Sequence, residues 1–343
     1  MTNNSKKKPL VSVLMPVYNS ELFLNESIES ILNQTYNYFE FIIMNDGSTD
    51  NSENIIKSYN DERIIYFKSE KNLGIIETLN NGIELAKGKY IIRMDSDDFS
   101  YPQRFEKQIE FMELQNEVDI SGTWFLKTDR LKPNTYPISF EECEINLLYN
   151  TVLCHPSIIL RKESIVKSNL KFKSSALHAE DYKFWIDAVI AGLKISNLPI
   201  VLLKYRMHPM QISTLKNKIQ NQTVTNIQIE YAEYLFGQFI TNNKDVYVKI
   251  LEKNIIEYKS YKKAKKLITE LIAINLINKK ANHKLLKLFF NKILKNIATK
   301  VFSHNINNWK FLSKIVFDKN FYSKYNLKHF YYYHFLKKNN IIS

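Results

Sequence analysis

The sequence predicts an α/β fold, a mostly parallel sheet flanked by helices, followed by an all-helical C-terminal appendage. Three observations predict it. Short β-branched runs alternate with apolar residues at helical spacing over the first hundred residues. Three of those runs end in polar clusters, at Pro16–Asn19, Asn45–Asp50 and Asp95–Asp98; in open parallel sheets, ligands sit outside the carboxyl ends of the strands. From about Lys216 the texture changes to long helical patterns rich in Ile, Leu, Lys, Asn and Tyr, with Gly237 the only glycine left.

The elements follow in order. Residues 10–16 (LVSVLMP) form a strand that stops at a proline, and Leu22, Leu24, Ile28, Ile31 and Leu32 mark a helix. A strand over 40–45 runs into Asp-Gly-Ser, a helix spans 51 to about 59, and a strand covers 64–68. A helix over about 75–86 precedes a strand over 90–94, which runs into Asp95-Ser96-Asp97-Asp98. Later, Leu267, Ile268, Leu271, Ile272 and Leu276 recur at helical spacing. The organisation expected is a domain over 1–214 and a lysine-rich helical region over 215–343, without a solenoid repeat.

The chain has 343 residues, 45% hydrophobic and 24% charged, which excludes wholesale disorder and a multi-span membrane protein. Its net charge of +13 suggests an anionic partner. Residues 1–214 hold 24 basic and 28 acidic side chains, net −4, whereas residues 215–343 hold 24 and 7, net +17. All the arginines (63, 93, 104, 130, 161 and 206) lie in the first part. The tail's charge is therefore lysine alone, which suits a diffuse field such as an anionic membrane surface. Without arginine or a binding motif, nucleic acid is not an expected partner. Solvated helix faces would account for the same lysines.

Cys143 and Cys154 are too few for a disulfide framework or a thiolate zinc site, so a cytoplasmic setting is expected, peripheral at the inner face of the membrane. The start, Lys6 to Lys8 followed by Leu10 to Tyr18, superficially resembles a signal peptide, but Pro16 interrupts the apolar run. No stretch reaches the roughly 18–20 apolar residues of a span.

Asp95-Ser96-Asp97-Asp98 puts carboxylates at alternating positions after a strand, which throws Asp95 and Asp97 to one side if the chain stays extended. Such oxygen ligands suit Mg²⁺ or Mn²⁺ held together with substrate phosphates; alone, the cluster reads first as an acidic turn that caps a helix, and the neighbouring clusters reverse that preference. In the segment Asn45 to Asp50, capping explains Thr49 and Asp50, and Gly47 permits a positive φ. Asp46 is left without a structural task, and a carboxylate there can accept a hydrogen bond from a nucleobase imide. Tyr18 can stack on the same base or simply pack.

Pro16-Val17-Tyr18-Asn19, Asn45-Asp46-Gly47-Ser48-Thr49-Asp50, Asn72-Leu73-Gly74, Met94-Asp95-Ser96-Asp97-Asp98 and Tyr101-Pro102-Gln103-Arg104 occur in the order and spacing of family 2 glycosyltransferases, which the chain resembles over about residues 9–214. His155-Pro156-Ser157, Glu180-Asp181 and Tyr205-Arg206-x-His208-x-x-Gln211-x-Ser213 are similar to that family's later signatures. The resemblance implies the Rossmann-like GT-A fold and an inverting, metal-dependent transferase using Mn²⁺ or Mg²⁺. It would move a sugar from a nucleotide-diphosphate donor, with a UDP-sugar the first candidate, to a glycan or lipid-linked acceptor of a bacterial cell-surface polysaccharide.

By the same resemblance, Pro16, Tyr18 and Asp46 match positions that hold the base, with Asn19 in the same motif and Asn72 nearby. Asp95 and Asp97 match the metal pair, with Asp97 the direct ligand. Asp181 matches the catalytic base, beside Glu180. Arg206 and His208 match a segment that closes over diphosphate and metal, His208 as a further metal ligand. Arg104 is read as a substrate contact or a structural ion-pair partner, and His155 as an acceptor-side or a core residue. Trp124 and Trp185 are read as core, and the loops 124–137 and 166–179 as the walls that select substrates. Two departures stand out: Asn45 replaces the first acid of the usual Asp-Asp-Gly-Ser, and Leu79 replaces an arginine that many members use on phosphate. The alternatives are a non-catalytic scaffold with intact fold, and a sugar nucleotidyltransferase, which would call for a Gly- and Arg-rich loop that residues 11–20 lack.

Overall fold

A computed structural model of the chain describes residues 10–208 and 217–304. The Lys6–Lys8 run, the boundary at Thr214, Gln211 and Ser213 of the late signature and the Lys337-Lys338 pair lie outside the described residues. The chain divides into two compact units, Met1–Ile227 and Gln228–Ser343.

The first unit is built on β1 (Val11–Val17), α1 (Leu24–Leu32), β2 (Phe39–Asn45), α2 (Ser52–Ser58), β3 (Ile64–Lys68), α3 (Ile75–Leu85) and β4 (Tyr90–Arg93). There follow β5 (Phe99–Ser100), α4 (Arg104–Leu114), β6 (Ile120–Lys127), α5 (Phe140–Asn146), β7 (Ile159–Arg161), α6 (Lys162–Lys167), α7 (Glu180–Ile190) and β8 (Ile195–Tyr205). The strands form one sheet in the order β3-β2-β1-β4-β7-β6-β8-β5. From β3 to β4 it is parallel. β7 runs antiparallel to β4 and β6, β8 runs parallel to β6, and β5 runs antiparallel to β8. This mixed, mostly parallel sheet flanked by helices is the architecture the alternating pattern predicts.

Burial explains the pattern. Every residue of β1, β2 and β4 is buried, as expected of parallel strands covered on both faces. In α1, Leu24, Ile28 and Ile31 are fully buried at helical spacing, each worth about 1.5–3 kcal/mol of transfer free energy. The parallel register of β1 with β2 and β4 brings the loops that follow these strands, at Pro16–Asn19, Asn45–Asp50 and Asp95–Asp98, to one end of the sheet.

The second unit is helical throughout its described residues. α8 (Asn217–Phe236) leads into it, followed by α9 (Gln238–Asn242), α10 (Lys244–Leu251), α11 (Tyr258–Asn278) and α12 (His283–His304). Its core includes Tyr261, Leu267, Ile268, Leu271, Phe290 and Val301. Among the described residues no helix is long and apolar enough to cross a membrane.

Candidate active site

The loops after β1 and β2 are laced together by hydrogen bonds. The Thr49 amide donates to Asn19 Oδ1 (2.8 Å), and the Asn19 amide to Ser48 Oγ (3.1 Å). The Glu21 amide donates to Asp50 Oδ2 (3.0 Å), while the Asn51 amide donates to Glu21 Oε2 (2.9 Å). Asp50 Oδ1 also accepts from the Ser52 amide at the start of α2 (3.0 Å). Asn19 itself sits at φ 49°, a left-handed conformation that asparagine tolerates. Its side chain therefore shapes the loop, which leaves Tyr18, 48% exposed, as the protruding aromatic. Pro16 is buried within β1, and Asn72 is exposed.

Asp46 does have a structural task, contrary to the sequence reading. Its Oδ1 accepts from the Leu73 amide (2.7 Å) and its Oδ2 from the Gly74 amide (2.9 Å), so it tethers the Asn72-Leu73-Gly74 loop beside β2. Gly47, at φ 69°, packs so close that a Cβ would meet the Lys71 carbonyl carbon at 2.7 Å and the Asn72 amide nitrogen at 2.9 Å. Asp46→Ala leaves two amides unpaired, each costing about 1–3 kcal/mol. Thermal denaturation should show a lower Tm, and donor titration a raised KM. Asn45, in place of the usual acid, donates to the Tyr66 hydroxyl (2.9 Å) and accepts from the Ser48 amide (2.9 Å). Leu79 is buried, and the adjacent Asn80 clamps Phe172 through both backbone polar groups (3.0 and 2.9 Å).

The acid cluster forms differently from the alternation argument. β4 ends at Arg93 and the chain turns over 96–97, so the extended geometry does not persist. The turn gathers Asp95, Asp97 and Asp98, with one carboxylate oxygen of each within 4.8 Å of the others. Asp98 is fully buried; its Oδ1 accepts from the Arg206 amide (2.8 Å), and its Oδ2 has no hydrogen-bond partner. Burial, with Asp95 and Asp97 beside it, pushes the Asp98 carboxyl well above the usual carboxylate range. Burial also raises Asp95, opposed by the Arg93 guanidinium. His208 Nε2 lies 2.9 Å from Asp97 Oδ2. Clustered carboxylates, one with an unpaired buried oxygen and one already drawn to an imidazole, are a hard donor set that fits Mg²⁺ or Mn²⁺.

Arg206 comes back to this cluster from the end of β8. Its Nε donates to the Asp97 carbonyl (2.8 Å), its Nη2 pairs with Glu26, and its guanidinium lies 4.6 Å over the Phe23 ring. Phe23 in turn contacts the His208 ring at 5.0 Å.

Arg93 is a site residue that the sequence reading missed. Its side chain is 6% exposed, Nη1 donates to Asp95 Oδ2 (2.6 Å), Nη2 pairs with Asp95 Oδ1, and Nε has no partner. The available signal was a charged residue in an otherwise apolar strand directly before the acids. Arg104, expected as a substrate contact or an ion-pair partner, is neither. It is 0% exposed and donates to Gln108 Oε1 (3.0 Å), the Arg93 carbonyl (2.8 Å) and the Met94 sulfur (3.3 Å), a strut beneath β4. Arg104→Leu should cost about 1–3 kcal/mol for each oxygen acceptor left unpaired, seen as a lowered denaturation midpoint; an unchanged midpoint would contradict the strut.

Glu180 and Asp181 open α7. Asp181 Oδ1 accepts from the Tyr182 amide (2.7 Å). Burial, then the neighbouring Glu180 charge, raises the Asp181 carboxyl to about 6, opposed by that amide and by Arg93. Burial raises Glu180 as well, and its Oε2 has no hydrogen-bond partner. Behind α7, Trp185 is fully buried and His155 contacts its ring edge-on at 5.9 Å. Burial and Arg93 hold His155 well below its ordinary pKa, and its Nε2 is unpaired. Trp124 donates Nε1–H to the Tyr136 carbonyl (3.2 Å). If Asp181 accepts a proton in the rate-limiting step, kcat/KM should fall as pH drops through about 6, because the protonated carboxyl cannot act as base. A profile flat down to pH values well below that would contradict the role.

The fold and site thus define a class, a mixed, mostly parallel sheet with a cluster of carboxylates beyond the end of a parallel strand. The model of glycosyl transferase family 2 matches residues 12–170. An uncharacterized glycosyltransferase of Haemophilus influenzae is 33% identical over 282 residues, 77% of this chain and 85% of that protein. The Escherichia coli UDP-Glc:alpha-D-GlcNAc-diphosphoundecaprenol beta-1,3-glucosyltransferase WfaP is 31% identical over 213 residues, 61% of this chain and 82% of WfaP. The solved structure of S. aureus TarS 1-349 with UDP-GlcNAc superposes with a TM-score of 0.55 at 19% identity, covering 87% of this chain and 92% of that one, a likeness of fold. The chain belongs to glycosyltransferase family 2.

Proposed function

We propose that this glycosyltransferase is an inverting enzyme that moves a sugar from a nucleotide-diphosphate donor, a UDP-sugar foremost, to a lipid-linked acceptor in cell-surface glycan synthesis. The observation that carries the reading is the gathering of Asp95, Asp97 and Asp98 at the end of β4, with His208 on Asp97 and Asp181 within electrostatic reach of Asp95. WfaP, named for a UDP-sugar donor and a polyprenyl-diphosphate acceptor, supports the donor and acceptor classes.

The proposed chemistry is a single displacement. Tyr18 and the loop that Asp46 tethers bound the base-binding side. Asp97 and Asp95, with His208, would hold Mn²⁺ or Mg²⁺, which when bound supplies positive charge against the leaving diphosphate. Arg93 holds Asp95 in a fixed pose through two hydrogen bonds, the geometry that makes arginine–carboxylate pairs specific. Asp181 takes the proton of the acceptor hydroxyl as its oxygen bonds to the anomeric carbon and the bond to the diphosphate breaks. A carboxyl raised to about 6 is ionised at neutral pH yet more basic than an ordinary aspartate, which suits a general base. Attack opposite the leaving group inverts the anomeric centre.

Donor hydrolysis followed by ¹H NMR tests the reading. The first-formed sugar should carry the anomeric configuration opposite to the donor's. Retention of configuration would overturn the single displacement.

A further inference from the structure

We propose that the tip of the α11–α12 hairpin is a docking element for the surface of an anionic lipid bilayer. The inference rests on the reading above, in which the acceptor is lipid-linked, and assigns the surface contact to particular residues.

α11 and α12 pack on each other and are joined by residues 279–282. From 258 to 304 the sequence holds 12 lysines and a single acid, Glu270, for a net +11. At the tip, large aliphatic side chains stand in water: Leu276 is 60% exposed, Ile277 83% and Leu288 58%. The first two lie in the last turn of α11. Leu288 is the sixth residue of α12, within about 9 Å of its start at 1.5 Å per residue. Lys279, Lys280, Lys284 and Lys287 are interleaved with them and exposed.

The exposure belongs to a built tip rather than a frayed end. Asn275, 1% exposed, donates Nδ2–H to the Ala281 carbonyl (2.9 Å) and accepts from the Ala281 amide (3.0 Å). Lys279 turns the chain in the left-handed region, its amide bonded to the Asn275 carbonyl (3.0 Å). Asn282 Oδ1 accepts from the Leu285 amide at the start of α12 (3.2 Å).

Charge and apolarity together select the partner. Exposed aliphatics interleaved with lysines match the acyl–headgroup boundary of an anionic leaflet, where side chains insert and ammonium groups stay at the phosphates. A nucleic acid would use the lysines and leave Leu276, Ile277 and Leu288 in water. A second copy of this hairpin would bring +11 against +11.

The test is flotation of the full-length protein with vesicles of phosphatidylcholine alone and of phosphatidylcholine mixed with phosphatidylglycerol. The protein should float with the mixed vesicles only. Lys279→Gln/Lys284→Gln should weaken that binding by about fivefold per lysine at low salt and flatten its salt dependence. Leu276→Ser/Ile277→Ser should weaken it by about tenfold or more with the salt dependence unchanged. Both pairs are exposed, and unaltered donor hydrolysis without vesicles shows that the variants are folded. Wild-type flotation of the serine variant would overturn the tip assignment while leaving a membrane-surface reading in place. No preference for phosphatidylglycerol by the wild type would overturn both. Self-association dissolved by the serine variant, or RNA that displaces the vesicles through the lysines alone, would also overturn the assignment.

Discussion

Asp181→Asn is expected to lower the rate of sugar transfer by about 10²–10⁴-fold, the contribution of a positioned general base, while the donor still binds. The substitution keeps the shape and the hydrogen bond from the Tyr182 amide but removes the basic oxygen pair. It also removes the negative charge that burial and Glu180 already penalise, so the folded protein should be no less stable. Burst and steady-state assays with the same donor separate the two quantities: kcat falls and donor KM holds. A variant that transfers at the wild-type rate would move the base to another group, with Glu180, adjacent in the chain, the first candidate.

Asp97→Ala is expected to act earlier, on donor binding. Asp97 is half-buried, carries His208 on Oδ2 and offers its backbone carbonyl to Arg206. Without its carboxylate, the cluster keeps Asp95, held by Arg93, and the fully buried Asp98. Transfer should fall by about 10²-fold or more, the scale of losing one stabiliser of developing charge, and the stimulation of donor binding by Mn²⁺ should disappear. Calorimetric titration of a nucleotide sugar with and without the ion reads this directly. The backbone contact to Arg206 remains, so the fold should hold.

Much of this site was legible in the chain because its parts are local. The β-branched runs, the helical spacing and the clusters after strands each occupy fewer than a dozen residues, and the parallel arrangement follows from their alternation. What was not legible depends on contacts across long separations or on the degree of burial. Arg206 reaches Asp98 across 108 residues, and nothing in either segment encodes that pairing. Asp46 looked idle because its partners, the amides of Leu73 and Gly74, are backbone groups 27 and 28 residues away. Arg104 and Arg93 are both buried charged residues near the acids; their partners alone make one a strut under the sheet and the other a partner of Asp95. Asp95 and Asp97 come together through the turn over 96–97 rather than through strand alternation, and that turn also brings in Asp98.

The charge division of the sequence acquires a physical form in the same way. Lysines of α11 share a helix whose buried face carries Leu267, Ile268 and Leu271, so the amphipathic spacing there is that of an ordinary helical core. Among the described residues, the departure from an ordinary core is at the α11–α12 tip, where Leu276, Ile277 and Leu288 face water among lysines.

The residues gathered beyond β4 are expected to hold a nucleotide sugar together with a divalent ion. The most direct test is thermal stabilisation of the full-length protein by UDP-, GDP- and dTDP-sugars, each with Mn²⁺ and with EDTA. One donor class, UDP-sugars foremost, should raise Tm with Mn²⁺ and lose that effect in EDTA and in Asp97→Ala. Stabilisation of equal size in EDTA, or none from any donor with the ion present, would contradict the account.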